Sequence, residues 1–292
     1  MTLDVAKRLC DPSISKCPVF EIVSSHSNKD VLTLAEGVGS TCEERTDAVM
    51  KVMSQLRENG IITGWRDELL PLAESYYDEP VLLVERAAAP LLGMQQYGVH
   101  LSGLVKSADN GNNDDNGGTK MWIARRSATK SKYPGMLDQM VAGGQPAGLG
   151  LMENVLKECM EEAGIPESLT KAGIKAAGAI SYETIEYLPE VTVGDQNSHI
   201  NRCIVVSRAL LYCYDLYLPP DFEPKVVDGE VDSFFLWTMD EVMESMKPDY
   251  HDPFKPNCYV CIIDYLLRED YISPEVPGYL DVLRELRSGY CG

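Results

Sequence analysis

The chain is short of cations and has no long apolar run. Its 292 residues hold 26 Lys and Arg against 45 Asp and Glu, a formal net charge of −19 at pH 7. That balance disfavours broad contact with a phosphate backbone, because each nucleic-acid phosphate neutralised needs a cation to displace its counterions; no nucleic-acid partner is expected. A small phosphorylated ligand stays compatible, since it needs only a few local cations or a divalent metal held by carboxylates. No stretch reaches the roughly 18 consecutive apolar residues of a membrane-spanning helix, and runs such as Cys258 to Ile263 fall far short, so no membrane partner is expected. The N-terminal stretch with Asp4, Asp11 and Glu21 lacks a basic region followed by an apolar one. This argues against a signal or transit peptide and makes a cytoplasmic location the expectation.

Paired metal ligands are also scarce. The 4 histidines, His26, His100, His199 and His251, share no ligand spacing and read as structural or solvent-facing. The 9 cysteines (Cys10, Cys17, Cys42, Cys159, Cys203, Cys213, Cys258, Cys261 and Cys291) are odd in number and scattered, which predicts reduced thiols without structural disulfides. Cys258-x-x-Cys261 has no second Cys pair beside it, so a zinc or redox motif loses to a buried apolar helix in which free Cys acts as a small hydrophobe. Val141-Ala-Gly-Gly-Gln145 has no Ser between its glycines, which leaves a serine triad without an anchor.

With 45% apolar residues the chain can bury a sizeable core, and its length suits two domains. Thr41-Cys-Glu-Glu44 reads as a capping box, followed by Ala48, Val49, Val52, Met53 and Leu56 as an apolar face and by Asn59-Gly60 as a stop. Pro80 to Glu85 reads as a strand and Ala87 to Gly93 as a junction. Residues 1–93 are therefore expected to form a small α/β accessory domain, and residues 94–292 the larger one. Strand-like runs start at Tyr97 and recur at Lys120 to Arg125, Ile174 to Ile185, Ile200 to Leu218 and Val231 to Trp237. Asp240 to Met246, Asn257 to Leu267 and Tyr279 to Leu286 read as helices. Ser107 to Gly118, dominated by Asn, Asp and Gly, reads as a mobile surface loop. Strands mixed with helices imply an α/β sandwich.

The chemistry is concentrated between Gly143 and Ile165, read as a glycine-rich loop running into a helix over Leu151 to Ala163. Gly164 suits a C′ cap there and Pro166 prevents continuation. At about 100° per residue, Leu151, Val155, Cys159 and Ala163 form one apolar stripe with Glu158 and Glu162 along its edge, and Glu161 projects farther out. Like charges at i,i+4 repel, and anions near a helix C-terminus are disfavoured by a few tenths of a kcal/mol each. A hard divalent cation reverses that repulsion. The ordinary alternative, a solvated acidic face, is weakened by the Gly143-Gly144 pair ahead of the helix, where backbone can approach a phosphate.

The segment resembles the Nudix box, whose pattern is Gly, five residues, Glu, seven residues, Arg-Glu-apolar-x-Glu-Glu-x-Gly-apolar. With Gly143 first, Glu158, Glu161, Glu162, Gly164 and Ile165 fall in register and Cys159 takes an apolar position. Two positions depart: Leu149 replaces the first Glu and Lys157 the Arg, and Glu153 is spaced to pair with Lys157 at i,i+4. The resemblance implies a Nudix α/β/α sandwich with a mixed sheet behind a small α/β N-terminal domain. It also implies Mg²⁺, or Mn²⁺, held mainly by Glu158 and Glu162, with Glu161 assisting and the Ala142 carbonyl as a further ligand. Trp122 to Lys130, Pro134 to Asp138, Asp228 to Val231 and Phe254 to Cys258 look like a Nudix subfamily with an N-terminal extension, related to the module fused in fungi to thiamine pyrophosphokinase. That likeness implies hydrolysis of thiamine diphosphate or its damaged forms, oxothiamine and oxythiamine diphosphate, to the monophosphates.

The reaction so implied is attack of water on a diphosphate phosphorus, with no covalent enzyme intermediate. Arg125, Arg126 and Lys130 are candidate phosphate contacts, as are Gly143 and Gly144 through their backbone. Glu230 is a candidate base or further metal ligand. Two alternatives stay open: a nucleoside diphosphate derivative of the ADP-ribose type as substrate, and a catalytically weak module that only binds a diphosphate. Trp65, Tyr76, Tyr77, Tyr182 and Tyr187 are candidates to stack on a substrate ring, although core packing is the commoner fate of aromatics.

Overall fold

The computed structural model describes residues 1–12, 18–24, 30–106, 118–187 and 204–289. The polar run at 107–117, residues 200–203 of the run that ends at Leu218, and Cys17, Cys203, Cys291, His26 and His199 lie outside the described residues.

The N-terminal part comprises α1 (Leu3–Leu9), the hairpin β1 (Phe20–Ser24) and β2 (Asp30–Leu34), α2 (Cys42–Glu58), and the antiparallel pair β3 (Leu69–Leu72) and β4 (Leu82–Glu85). The start of α2 is fixed as predicted: the Glu44 N–H donates to the Thr41 hydroxyl at 3.2 Å, and the Glu44 carboxylate accepts from the Thr41 N–H at 3.1 Å. Val49, Val52, Met53 and Leu56 are buried at helical spacing and join Leu70, Leu82 and Val84 in a core of their own, to which the later Val205 also contributes. A short 3-10 turn, Ala89–Leu92, ends on Gly93 at φ 66° and leads into the main sheet.

Next come β5 (Gln95–Lys106), β6 (Thr119–Arg126), β7 (Leu137–Gln139), β8 (Val141–Gly144), α3 (Leu151–Ala163) and α4 (Glu167–Gly173), then β9 (Ile174–Tyr187), β10 (Ile204–Tyr217), β11 (Val231–Thr238), α5 (Met239–Ser245), α6 (Pro256–Arg268) and α7 (Tyr279–Glu285). The strands run in the order β11-β6-β5-β10-β9, parallel between β5 and β10 and antiparallel elsewhere. β5 and β6 pair only from Gly103 to Lys106; beyond that they diverge, and β8 takes up β5 while β7 takes up β6.

On one face, Val99, Leu101 and Val141 pack against Val155, Cys159 and Ala163 of α3. On the other, Leu104, Met121 and Ile123 pack against Val242 of α5 and Ile262 and Tyr265 of α6. Each such side chain, once fully buried, contributes roughly 1.5–3 kcal/mol of hydrophobic transfer. The result is an α/β/α sandwich on a mixed sheet, as expected. Two local readings are corrected. Gly143 and Gly144 are not in a loop but end strand β8, held there by pairing with Val99 and Gly98 of β5. Pro166 does stop α3, and it also serves as the N-cap of α4, which the sequence reading did not anticipate.

Candidate active site

Helix α3 lays its apolar stripe against β5 and β8, which brings the edge of that stripe to the end of β8. Glu162 is buried, and its Oε2 accepts from the Ala142 N–H at 2.8 Å. Burial pushes its carboxyl well above the usual range; the Ala142 bond opposes this, and the charges of Glu158, Asp138 and Glu230 add to it. Glu158 is raised too, first by burial and then by Glu161 and Glu230, with Lys157 pulling the other way. Glu161 is half exposed and ion-paired to Lys157 at 2.7 Å.

The backbone of β8 leaves no spare room beside these acids. A Cβ on Gly143 would lie 2.6 Å from Glu158 Oε1, and one on Gly144 would lie 2.7 Å from the guanidinium carbon of Arg86. The following loop replaces the missing box residues with amides. Gln145 Nε2 donates to the Leu149 carbonyl at 2.5 Å and Asn154 Nδ2 to the Gly144 carbonyl at 2.8 Å. Glu153 does not pair with Lys157 as its spacing suggested. Its carboxylate accepts from the Gly150 N–H at 2.9 Å, satisfying an orphan donor of the helix start, and Lys157 turns instead to Glu161 and Glu158.

Beside this acidic wall lies a cleft of about 480 Å³. Ala142, Gly143, Gly144, Glu158, Glu161, Glu230, Arg126 and Lys130 line it, and Glu162 opens onto a small pocket shared with Arg126, Lys130 and Glu230. The predicted cations fare unequally. Arg125 does not line the cleft: both its terminal nitrogens hold Asp252, at 3.0 and 2.5 Å, and one also reaches the Gly135 carbonyl, which ties β6 to the loop before α6. Arg126 reaches the cleft but is pinned by Asp138 at 2.5 Å and by the carbonyls of Tyr133 and Lys132. Lys130 is ion-paired with Glu230. Burial raises the Glu230 carboxyl, and the Lys130 ammonium bonded to it, with Arg66 and Arg86 behind, outweighs that and holds it low.

Sequence reasoning missed most of the remaining wall. Lys255 pairs with buried Asp138 at 3.3 Å, and Cys258 donates its thiol proton to the same carboxylate at 2.8 Å. Burial acts against the Asp138 charge, but Lys255, His100 and Arg126 together hold its pKa far below the usual carboxylate range. His100 is buried, bonded through Nδ1 to Gln139 at 2.5 Å, and pushed down to about 4 by burial and then by Lys255, so its imidazole is neutral at pH 7. Asn257 lies between His100 and the Tyr182 hydroxyl. Of the five candidate stacking aromatics, only Tyr182 lines the cleft; Tyr76 packs edge-on against Tyr77, Tyr97 and Tyr212, and Trp65 lies under Arg57.

Among the described residues no three His, Cys, Asp or Glu side chains converge as a preformed metal centre. The donors still fit a hard divalent cation. Glu158 and Glu162 both offer sheltered carboxylate oxygens whose charged forms are disfavoured by burial and by neighbouring acids, a penalty that a bound cation would offset.

Residues 14–96 match a family model described as a domain of unknown function, DUF4743. The chain is 42% identical over 249 residues to Nudix hydrolase 24, chloroplastic, and to Nudix hydrolase 20, chloroplastic, both of Arabidopsis thaliana, alignments that cover 85% of this chain. They cover 61% and 59% of those proteins, so the chain spans about three-fifths of the length of the curated relatives it matches. Among solved structures, DR0079 from Deinococcus radiodurans is 16% identical, with a TM-score of 0.45 over 68% of this chain and 99% of its own.

Proposed function

We propose, from the 42% identity to two Nudix hydrolases of Arabidopsis thaliana, that this chain is a member of the Nudix hydrolase superfamily and hydrolyses a diphosphate bond in a small molecule with the help of Mg²⁺, Mn²⁺ being the second choice. The observation that carries the reading is the pairing of Glu158 and Glu162, both sheltered, charge-repelling and directed to the end of β8. These two side chains hold the metal, with Glu161 and the Ala142 carbonyl as further ligands. When bound, the metal neutralises charge on the diphosphate oxygens and acidifies a water.

The chain's own groups do the rest. Lys130 is positioned to exchange Glu230 for a substrate phosphate oxygen, a point charge moving from one anion to another. Once released, Glu230 Oε2 loses the partner that holds its pKa low and becomes a better acceptor for the proton of the attacking water. Gly143 and Gly144 leave room for the Glu158 carboxylate and the Arg86 guanidinium to lie against β8 at the edge of the cleft.

For the substrate we propose thiamine diphosphate or its oxidised analogues, oxothiamine and oxythiamine diphosphate, cleaved to the monophosphate and phosphate. Support comes from the motif likeness outside the box and from uncharged groups in the cleft lining, Tyr182, Asn257, Gln96 and Ser207, which offer hydrogen bonds and an aromatic face to a heteroaromatic ring. We also divide the chain at residue 93/94; the separate hydrophobic core of the N-terminal part supports that division.

The test is product analysis with Mg²⁺ on oxothiamine diphosphate, thiamine diphosphate and ADP-ribose in parallel, by the wild type and Glu162→Gln: cleavage of the first two yields the monophosphate and phosphate, that of ADP-ribose two phosphomonoesters. Preference for the thiamine compounds, lost in the variant, is expected. Turnover of ADP-ribose alone overturns the substrate, and an undiminished Glu162→Gln overturns the metal site.

A further inference from the structure

We propose that the N-terminal part is one wall of the substrate site, and that its Arg66 and Arg86 bind the phosphate oxygens of the diphosphate substrate. The inference rests on the hydrolytic reading above and extends it to residues outside the Nudix box. Both arginines line the same cleft as Glu158 and Glu230. Both act electrostatically on Glu230, lowering its pKa. The Arg86 guanidinium lies 2.7 Å from where a Cβ of Gly144 would be, so an N-terminal side chain fills the space beside the last residue of β8.

The N-terminal part is also fastened to the catalytic loops. The Ala147 N–H, in the loop leading into α3, donates to the Leu69 carbonyl of β3 at 3.1 Å. Arg66 Nη2 donates to the Ser131 hydroxyl at 3.2 Å, next to Lys130. A wall attached at these points moves with the metal-binding helix rather than independently of it.

Charge makes the assignment to Arg66 and Arg86 specific. A diphosphate entering this cleft meets Glu158, Glu161 and Glu230, and most cations near it are already neutralised. Arg126 and Lys255 serve Asp138, Lys130 serves Glu230, Lys132 serves Glu186 and Lys157 serves Glu161. Among the described residues, Arg86 meets one carboxylate, Glu68, through Nη1 alone at 2.8 Å, and the side chain of Arg66 bonds only a neutral hydroxyl. These guanidinium groups keep donors to offer, in the fork geometry that matches phosphate oxygens.

The experiment is calorimetric titration of the full chain with inorganic pyrophosphate in EDTA, where neither metal nor turnover contributes. The wild type is expected to bind, more weakly as salt rises. Arg66→Gln and Arg86→Gln should each weaken binding about tenfold, the loss of one charge-assisted pair, and Arg86→Lys, which keeps charge but not the fork, should fall between. Should Arg86→Gln not fold, Arg66→Gln decides alone. A wild type that binds no pyrophosphate, or folded variants that bind it as the wild type does, overturns the inference. Failure of the hydrolytic reading registers separately, as absence of diphosphate cleavage by the metal-loaded wild type.

Discussion

The acidic wall of the cleft comes from one continuous stretch, β8 through α3, whereas the basic wall is assembled from Arg66, Arg86, Lys130 and Lys255, which are far apart in the chain. The first is made by helix periodicity, which sets Glu158 and Glu162 one turn apart at the edge of a buried stripe. The second is made by tertiary packing, and nearly every cation in it has an acid of its own. A local wall concentrates like charge and needs a partner from outside; a dispersed wall is already balanced and yields its cations selectively. The sharpest test of this contrast is Glu162→Gln. It should lower kcat by about a thousandfold, roughly 4 kcal/mol of transition-state stabilisation, and leave metal-free stability equal to the wild type or higher, because a buried charge is removed. Equal loss of folding and of activity would place Glu162 in the scaffold instead.

Gly143→Ala tests how tightly the acidic wall is built. The added methyl meets the Glu158 carboxyl, and the backbone there is not left-handed, so the effect is steric displacement of one acid and not backbone strain. Activity should fall about a hundredfold with a change in metal dependence, as expected when a ligand is misplaced by an ångström or so. Gly148→Ala is the control: its φ of 78° makes a side chain strained, but nothing lies within 4 Å of the new Cβ. It should cost about 1 kcal/mol of stability and leave kcat in place.

The same contrast decides what could be read from the sequence. The caps of α2 and the stop of α3 depend on side chains within a few residues of the bonds they make, so Thr41, Glu44, Gly164 and Pro166 mark them directly. Strand-like patterns mark β9, β10 and β11 in the same way, and a short apolar stretch marks α6. Strand β8 did not announce itself, because Val141-Ala-Gly-Gly144 has almost no side-chain pattern and is extended only through its pairing with β5. Arg125 and Arg126 were both read as phosphate contacts. Neighbours on a strand face opposite ways, and each found a distant acid, Asp252 or Asp138, whose spacing no local pattern reveals. Arg66 and Arg86 carry no motif at all; the one signal is Gly144, whose missing side chain marks where the Arg86 guanidinium packs.

The dispersed wall should also be the pH-sensitive one on the acid side. In the unfolded chain His100 takes up a proton below about pH 6.5, and in the folded protein only below about 4, because burial and Lys255 oppose its charge. The unfolded state therefore binds more protons across that window, and stability is lost as pH falls from 6.5 towards 4, by up to roughly 3 kcal/mol. Glu158 and Glu162, with raised pKa values, contribute with the opposite sign, so the His100 share is read as a difference: thermal unfolding followed from pH 7 to 4.5 should show a greater loss of stability in the wild type than in His100→Gln. The contribution of Asp138 is separate: its depressed pKa means stability lost only as pH drops below the ordinary carboxylate range.

The smallest expected effect concerns Glu153, which stands in the acidic stretch yet serves the backbone. Its carboxylate closes the first turn of α3 on the Gly150 N–H, and its charge lies at the positive end of the helix dipole, where an anion is favoured. Since Gly150 has no side chain to cap the helix in its place, Glu153→Ala should lower stability by about 1 kcal/mol, a drop of a few degrees in Tm. Lys157 is held by Glu161 and Glu158, not by Glu153, so those two carboxylates keep their surroundings and the Mg²⁺ dependence of activity should not move. A shift in metal dependence with unchanged Tm would instead enrol Glu153 in the acidic wall, and would mean that the wall begins at the first turn of the helix.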